Sequence, residues 1–297
     1  MNSSTYQRFR RTARDAVRTV VASCEVLTRY RSTAKLARAG GHLVADVQTP
    51  GGALYVHLLD LGVGRPLYTG LEYEPEEAAF LQQSLKPGMT MIDVGANVGF
   101  MALLAAKAVG PSGIVLAIEP DPGNGELLRA NVERNGYHKV SIERCAVGSE
   151  PGTAQLFRSA WNMGNHRLNP GEAGQAIAHE SISVPVRTVD DLVSEHRLSR
   201  LDVIKMDVEG YEPGVLGGML STLARFKPVI LTEFWPYGMR DAGFDPEAFL
   251  DRCIRAGYSG RTLGQPDRSL TTVTEIMSTL PNQDRGTYEN IVLTPNR

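Results

Sequence analysis

Asp93-Val94-Gly95-Ala96-Asn97-Val98-Gly99-Phe100 follows an apolar run and opens an Ala- and Leu-rich stretch, Phe100 to Val109, that lacks proline. The pattern reads as a buried strand passing through a glycine turn into a helix. A helix N-terminus presents free backbone N–H groups, and glycines let a polar ligand approach the chain closely. A dinucleotide fingerprint, G-x-G-x-x-G, needs its middle glycine where the backbone meets a pyrophosphate. Here Asn97 stands in that place, and Asp93 at the strand end repels a pyrophosphate but suits an ammonium group. The turn therefore favours a zwitterionic cofactor.

Ligands of open α/β sheets bind beyond the carboxyl ends of the strands. Several polar residues fall at such ends. Glu119, in Glu119-Pro120-Asp121, lies 26 residues after Asp93 and can accept both hydrogen bonds of a ribose diol. Asp121 suits the cap of the next helix. Arg144-Cys145-Ala146-Val147-Gly148 closes a third strand with side chains small enough to border an adenine. Lys205-Met206-Asp207-Val208-Glu209-Gly210 closes a fourth and Glu233 a fifth. Charges crowded at a strand end are costly unless paired or used. Glu209 stays open between a catalytic role and a helix cap.

Taken together, these stretches resemble a known family. Asp-Val-Gly-Ala-Asn-Val-Gly, Ala-Ile-Glu-Pro-Asp, Cys-Ala-Val-Gly, Val-Pro-Val-Arg-Thr-Val-Asp-Asp, Ile-Lys-Met-Asp-Val-Glu-Gly and Lys-Pro-Val-Ile-Leu-Thr-Glu follow Tyr73-Glu74-Pro75-Glu76 in order. The set is similar to FkbM-type S-adenosylmethionine-dependent methyltransferases over residues 70–260. The resemblance implies an α/β fold of the Rossmann-like class I methyltransferase type: a mostly parallel sheet with an antiparallel last strand and helices on both faces. It implies S-adenosylmethionine as cofactor, with Gly95, Asn97, Gly99 and Phe100 shaping the turn around its methionine part and Asp93 close by. Glu119 and Pro120 would take the ribose, and Cys145 and Ala146 would sit by the adenine. Asp207 would lie near the sulfonium and the acceptor, while Glu74 and Glu76 would help close the pocket. The implied reaction is O-methylation of a sugar, glycolipid or natural-product hydroxyl.

An aliphatic hydroxyl must lose its proton as it attacks, so a general base or a metal ion is required. His166 is the base suggested by residue type, in Trp161-Asn162-Met163-Gly164-Asn165-His166-Arg167. Asp207 and Glu209 are the other catalytic candidates. Asn165 and Arg167 can bind the acceptor, Arg167 by holding an anionic part of it. Glu233 and Trp235 can contact the acceptor too, Trp235 and Tyr237 as an apolar wall. The metal route would use Asp207 and Glu233, whose hard oxygens suit Mg²⁺, although no compact metal motif is present.

The elements that must position these groups follow from periodicity. A β-hairpin is expected from Leu43–Gln48 and Leu54–Leu59, then a helix from Glu76 to Leu85. From Thr90 strands and helices alternate: strands at Ile114–Ile118, Val140–Cys145, Val203–Met206, Val229–Thr232 and Ile291–Leu293, helices at Asn124–Asn135, Val215–Leu223 and Pro246–Ala256. Alternation implies a parallel sheet covered on both faces. Residues 151–187 break the rhythm as a β-insertion, with Thr153–Phe157 and Ile182–Val186 as its strands. The organisation is a helical extension (1–40), a hairpin and lead-in (41–75) and a methyltransferase domain (76–297).

The chain has 297 residues, a net charge of −2 and 42% apolar residues, as expected of a globular protein, and makes no case for nucleic acid. Residues 1–40 carry +7 and the remainder −9. Phe9, Ala13, Ala16, Val17, Val20, Val21, Cys24 and Leu27 recur there at helical spacing. A basic amphipathic helix can lie on a membrane surface, cover an anionic site or mediate self-association, for example as a homodimer. Three scattered cysteines and no apolar run of membrane length point to a cytoplasmic setting. A nicotinamide-dependent oxidoreductase and a non-catalytic cofactor-binding module remain the alternatives.

Overall fold

A computed structural model describes residues 44–296, apart from 160–161, 169, 172–174, 176–177, 265–269, 281–282 and 285. Contacts divide the chain into two units, Met1–Val44 and Ala45–Arg297. The basic helix read over residues 1–40, with its membrane and self-association roles, lies outside the described residues, as does Trp161.

Strands β1 (Val44–Thr49) and β2 (Gly52–His57) pair around the turn at Pro50-Gly51, close to the expected hairpin. The side-chain oxygens of Asn131 and Asn135 accept from Tyr55 N–H (2.6 Å) and Ala53 N–H (2.9 Å), which fastens β2 to the helix that carries Asn131. Helix α1 (Gly64–Tyr68) follows, then α2 (Pro75–Ser84), whose first residue has the fixed φ a first turn requires.

Next come β3 (Thr90–Val94), α3 (Phe100–Val109), β4 (Ile114–Ile118), α4 (Pro122–Arg134) and β5 (Val140–Glu143). Asp121 caps α4 by accepting from Asn124 N–H at 2.9 Å. Strands β6 (Ala146–Val147), β7 (Gly152–Arg158), β8 (Arg167–Leu168) and β9 (Glu180–Arg187) form a separate four-stranded sheet, ordered β6-β9-β7-β8. The sequence reading carries the third strand to Cys145. It stops at Glu143 because Ala146 and Val147 pair with Val186 and Arg187 in the second sheet.

Helix α5 (Val189–Glu195) leads to β10 (Val203–Met206). One helix was expected over Val215–Leu223, but two form, α6 (Glu212–Gly217) and α7 (Leu220–Phe226). The break falls at Gly218, where a Cβ would lie 2.1 Å from the Gly148 carbonyl oxygen. The chain ends with β11 (Val229–Phe234), α8 (Pro236–Asp241), α9 (Pro246–Arg255), β12 (Tyr258–Thr262), α10 (Val273–Met277) and β13 (Glu289–Pro295). The sequence reading missed β12, because Tyr258 is the only large apolar residue among its inward positions Tyr258, Gly260 and Thr262.

The main sheet runs β12-β13-β11-β10-β3-β4-β5. It is parallel from β11 to β5, and β13 is antiparallel to both its neighbours. Strand order reverses between β3 and β10, and cofactor crevices open at such switch points. Side-chain alternation sends Ile92, Ile204 and Ile230 into one apolar cluster and Met91, Val203 and Leu231 into the other. Asp93, Lys205 and Glu233 share the second parity. Three neighbouring strands therefore aim three charged residues toward one face. Among the described residues, no helix is long and apolar enough to cross a membrane.

Candidate active site

The turn after β3 and the loop after β10 meet at the switch point. Gly95 has φ 83°, and a Cβ on it would lie 2.0 Å from the Asp207 carbonyl oxygen, so only glycine lets the two backbones come this close. Asn97 follows at φ 51°. Its N–H donates to Glu119 Oε2 at 2.8 Å, and the Asp121 N–H donates to Glu119 Oε1 at 2.9 Å. Glu119 is thereby fixed at the end of β4. Burial pushes its carboxyl up to about 7 against these backbone donors.

Two cavities meet at this junction. The larger, about 330 Å³, is lined by Glu74, Asp93, Lys205, Asp207, Glu209 and Glu233, with Tyr73, Phe100, Trp235 and Tyr288 as aromatic walls. The smaller, about 50 Å³, is lined by Glu119, Pro120, Cys145, Ala146 and His166. Gly95, Asn97, Gly164, Asp207 and Glu209 border both. The predicted cofactor residues thus line these two adjoining cavities, except Glu76, which is exposed and lines neither, and Gly99, which shapes the turn from behind by donating its N–H to Ala96 O at 2.9 Å.

The larger cavity is strongly acidic. Its five carboxylates face one lysine, and Lys205 Nζ lies 3.2 Å from Asp207 Oδ2. Burial works against the Lys205 charge, but Asp207, Glu74 and Asp93 outweigh it and hold the ammonium protonated. Burial raises Asp93 to about 6 and Glu74 to about 7. Glu209 and Glu233 are pushed well above the usual carboxylate range, first by burial and then by neighbouring carboxylates. Both Asp93 carboxylate oxygens and Glu233 Oε2 are buried without a hydrogen-bond partner. Glu74 (φ 42°), Asn97 and Glu209 (φ 56°) all hold left-handed backbone, a strain that persists where surrounding structure enforces it, often at functional sites.

The structure corrects several roles expected from the sequence. His166 does not line the larger cavity. Strand β8 turns it toward the smaller one, where Nδ1 accepts from Ser159 N–H (3.1 Å) and Nε2 lies 3.9 Å from Asp121 Oδ2. Burial lowers its pKa. Arg167 does not face an acceptor. Its guanidinium donates to Asp241 Oδ2 (2.7 Å), Glu209 O (3.0 Å) and Gly238 O (3.1 Å), and lies 4.9 Å from the Trp235 ring centre. Glu209 does not cap α6, whose N-cap is Tyr211 with no side-chain cap hydrogen bond; the Glu212 carboxylate accepts from Val208 and Gly210 N–H in the loop before the helix. Asn165, Glu233 and Trp235 do line the larger cavity.

Sequence reasoning gave no role to Lys205, Asp60 or Asn124. Lys205 was legible from its parity with Asp207. Asp60 was legible as an aspartate ahead of Gly62 and Gly64, the pattern of a side chain that closes a turn by accepting backbone N–H groups.

The residues fit a cationic, nucleoside-bearing cofactor. Asp93 offers a buried carboxylate with both oxygens unpartnered, and Glu119 stands at the end of the adjacent strand beside small residues Cys145 and Ala146. They do not fit Mg²⁺. Lys205 already supplies the cation at Asp207, and among the described residues no group of three His, Cys, Asp or Glu side chains could hold a metal.

Comparison with known proteins identifies the family. Residues 93–260 match the methyltransferase FkbM domain. The chain is 28% identical over 206 residues to the 31-O-demethyl-FK506 methyltransferase FkbM of Streptomyces tacrolimicus, covering 60% of this chain and 76% of that one. It is 27% identical to the 2-O-methyltransferase NoeI of Sinorhizobium fredii, covering 56% and 71%. A solved FkbM methyltransferase from Methylobacillus flagellatus aligns at TM-score 0.43 and 16% identity, over 73% of this chain and 50% of its own length. Neither the nicotinamide reading nor the scaffold reading survives the domain match: the chain belongs to the FkbM family of S-adenosylmethionine-dependent methyltransferases.

Proposed function

We propose that the protein is an O-methyltransferase acting on a hydroxyl of a sugar, glycolipid or natural-product acceptor, with Glu233 as general base. The observation that carries the reading is Glu233 itself. It lines the larger cavity, and its Oε2 is buried without a hydrogen-bond partner. Its environment raises its proton affinity, which makes its ionised form a stronger base than an exposed glutamate. The relatives' names, a 31-O-demethyl-FK506 methyltransferase and a 2-O-methyltransferase, support transfer to oxygen.

When bound, S-adenosylmethionine supplies an electrophilic methyl group on a sulfonium. The chain's residues do the rest. Asp93 and Glu119 hold the two ends of the cofactor, and a cation entering among the carboxylates favours their ionised forms. Glu233 Oε2 would take the acceptor's hydroxyl proton, so that transfer of the methyl group to that oxygen, with its bond to sulfur broken, would leave a neutral ether and S-adenosylhomocysteine. Lys205 fixes Asp207 in place through a 3.2 Å ion pair. Tyr73, packed edge-on to Phe100 at 5.4 Å, and Trp235 keep water from the cavity.

The same charge distribution limits the acceptor. With five acidic side chains and one lysine already paired to Asp207, the lining offers no spare cation for a carboxylate or phosphate of the acceptor. The part of the acceptor that enters is uncharged or cationic, which replaces the anionic contact expected at Arg167. The test is transfer from methyl-labelled S-adenosylmethionine into cell extract, followed by identification of the labelled product. A methyl ether supports the reading; an N-methyl or carboxyl-ester product overturns it.

A further inference from the structure

One loop of the insertion is fastened to the cofactor turn through the backbone of a single residue, Met163. Met163 donates its N–H to Asp60 Oδ1 at 2.9 Å. Its carbonyl oxygen accepts from Asn97 Nδ2 at 3.2 Å and from Asn124 Nδ2 at 3.0 Å. Asp60 is 1% exposed and also accepts from Gly62, Val63 and Gly64 N–H, at 3.0, 3.2 and 3.0 Å. Four backbone donors from two distant segments converge on this carboxylate. A Cβ on Gly62 would lie 1.9 Å from Asn162 Oδ1, so the two segments are in close contact.

The fastening has a definite place. Gly164, next to Met163, borders both cavities, and Asn97 is the residue of the turn where a dinucleotide fingerprint has glycine. At φ 51° glycine would be the less strained choice. The asparagine side chain is retained in a strained conformation, where it reaches the strap over the cleft.

We propose that Asp60, Asn97 and Asn124 are positioning residues that act through the Met163 backbone, holding residues 162–165 over the cofactor and setting how slowly the cofactor leaves. The proposal rests on the S-adenosylmethionine reading of the cleft. Asn97→Gly suits the backbone of the turn but also removes the Oδ1 that accepts from Val98 N–H at 2.6 Å, so the aspartate variant, which keeps that acceptor, isolates the effect. Asn97→Asp keeps the shape but has no N–H to donate to Met163 O.

Binding of S-adenosylhomocysteine to the full chain is measured by calorimetry and by stopped-flow dissociation, with hydrogen exchange of the Met163 and Gly164 amides. Both variants should release the ligand roughly tenfold faster, the scale of one lost buried hydrogen bond, with the ligand-free melting temperature kept. Protection at those two amides should fall. Asp60→Asn should act in the same direction, and if it fails to fold, the Asn97 variants decide alone. Dissociation within about twofold of wild type in both Asn97 variants overturns the proposal. Wild-type protein that does not bind S-adenosylhomocysteine sinks the cofactor reading and the proposal with it.

Discussion

The Lys205 ammonium lies 3.2 Å from the Asp207 carboxylate and pairs in register with Asp93 on the neighbouring strand. It is the cation around which the acidic cavity is built. Replacing it with a methionine of similar length leaves those carboxylates without compensation. Lys205→Met should cost about 3 kcal/mol at pH 8, the scale of a broken buried ion pair. The loss should shrink at pH 5, where the carboxylates take up protons. Denaturant unfolding at the two pH values measures it, and a loss equal at both would contradict the electrostatic account.

Glu119 accepts one backbone N–H on each carboxylate oxygen. A glutamine has only one oxygen, so Glu119→Gln must turn its amide N–H₂ toward either the Asn97 or the Asp121 donor. Affinity for S-adenosylhomocysteine should drop about tenfold, as expected when a buried donor loses its partner. Calorimetry reads this directly, and an unchanged dissociation constant rejects the ribose role.

Glu233 and His166 should separate cleanly. Glu233→Gln should lower kcat by roughly 100-fold or more, the usual scale for a general base, with cofactor affinity kept. His166→Gln should leave kcat near wild type and weaken cofactor binding, because His166 lines the nucleoside end of the cleft. EDTA should leave turnover unchanged. A kcat that falls with His166 and not with Glu233 would restore the histidine as base.

The acidic cavity also predicts a pH dependence. Asp93 is raised to about 6 and Glu74 to about 7, so the folded protein keeps protons that the unfolded chain has released. Stability without ligand is therefore highest below the ordinary carboxylate range. It falls as pH rises through 6 to 7, where the folded-state groups ionise. The same ionisation strengthens binding of a cation. The affinity for S-adenosylmethionine should rise by roughly three- to tenfold from pH 6 to 8, and for S-adenosylhomocysteine, a zwitterion that lacks the sulfonium charge, by less. Parallel titrations of the two ligands across that range would show equal slopes if the carboxylates were not involved.

The main strands were legible because apolar runs and glycine turns carry them, while their order in the sheet was not. The positions of Asp93, Glu119 and Asp207 follow from those strands alone. His166 is suggested as a base by residue type, while its placement at the smaller cavity depends on Arg167 pairing with Phe157 across β8 and β7. Arg167 was misread for a related reason: its three acceptors, Glu209 O, Gly238 O and Asp241 Oδ2, come from segments distant in sequence. Glu209 reads as a helix cap, yet α6 begins at Glu212, which reaches back to accept from Val208 N–H and braces the loop that carries Glu209. Contacts of this kind leave no local pattern to read.

Arg167 has a consequence for anyone recombining this enzyme with a relative. It belongs to the insertion, yet it saturates two backbone carbonyls and a carboxylate of the surrounding domain. A chimera that exchanges residues 151–187 as a cassette strips those acceptors of their donor unless the incoming loop brings a guanidinium to the same point. Altering acceptor choice is better begun at Tyr288. That side chain borders the cavity and is 55% exposed, so its size can be varied without unpicking the joint.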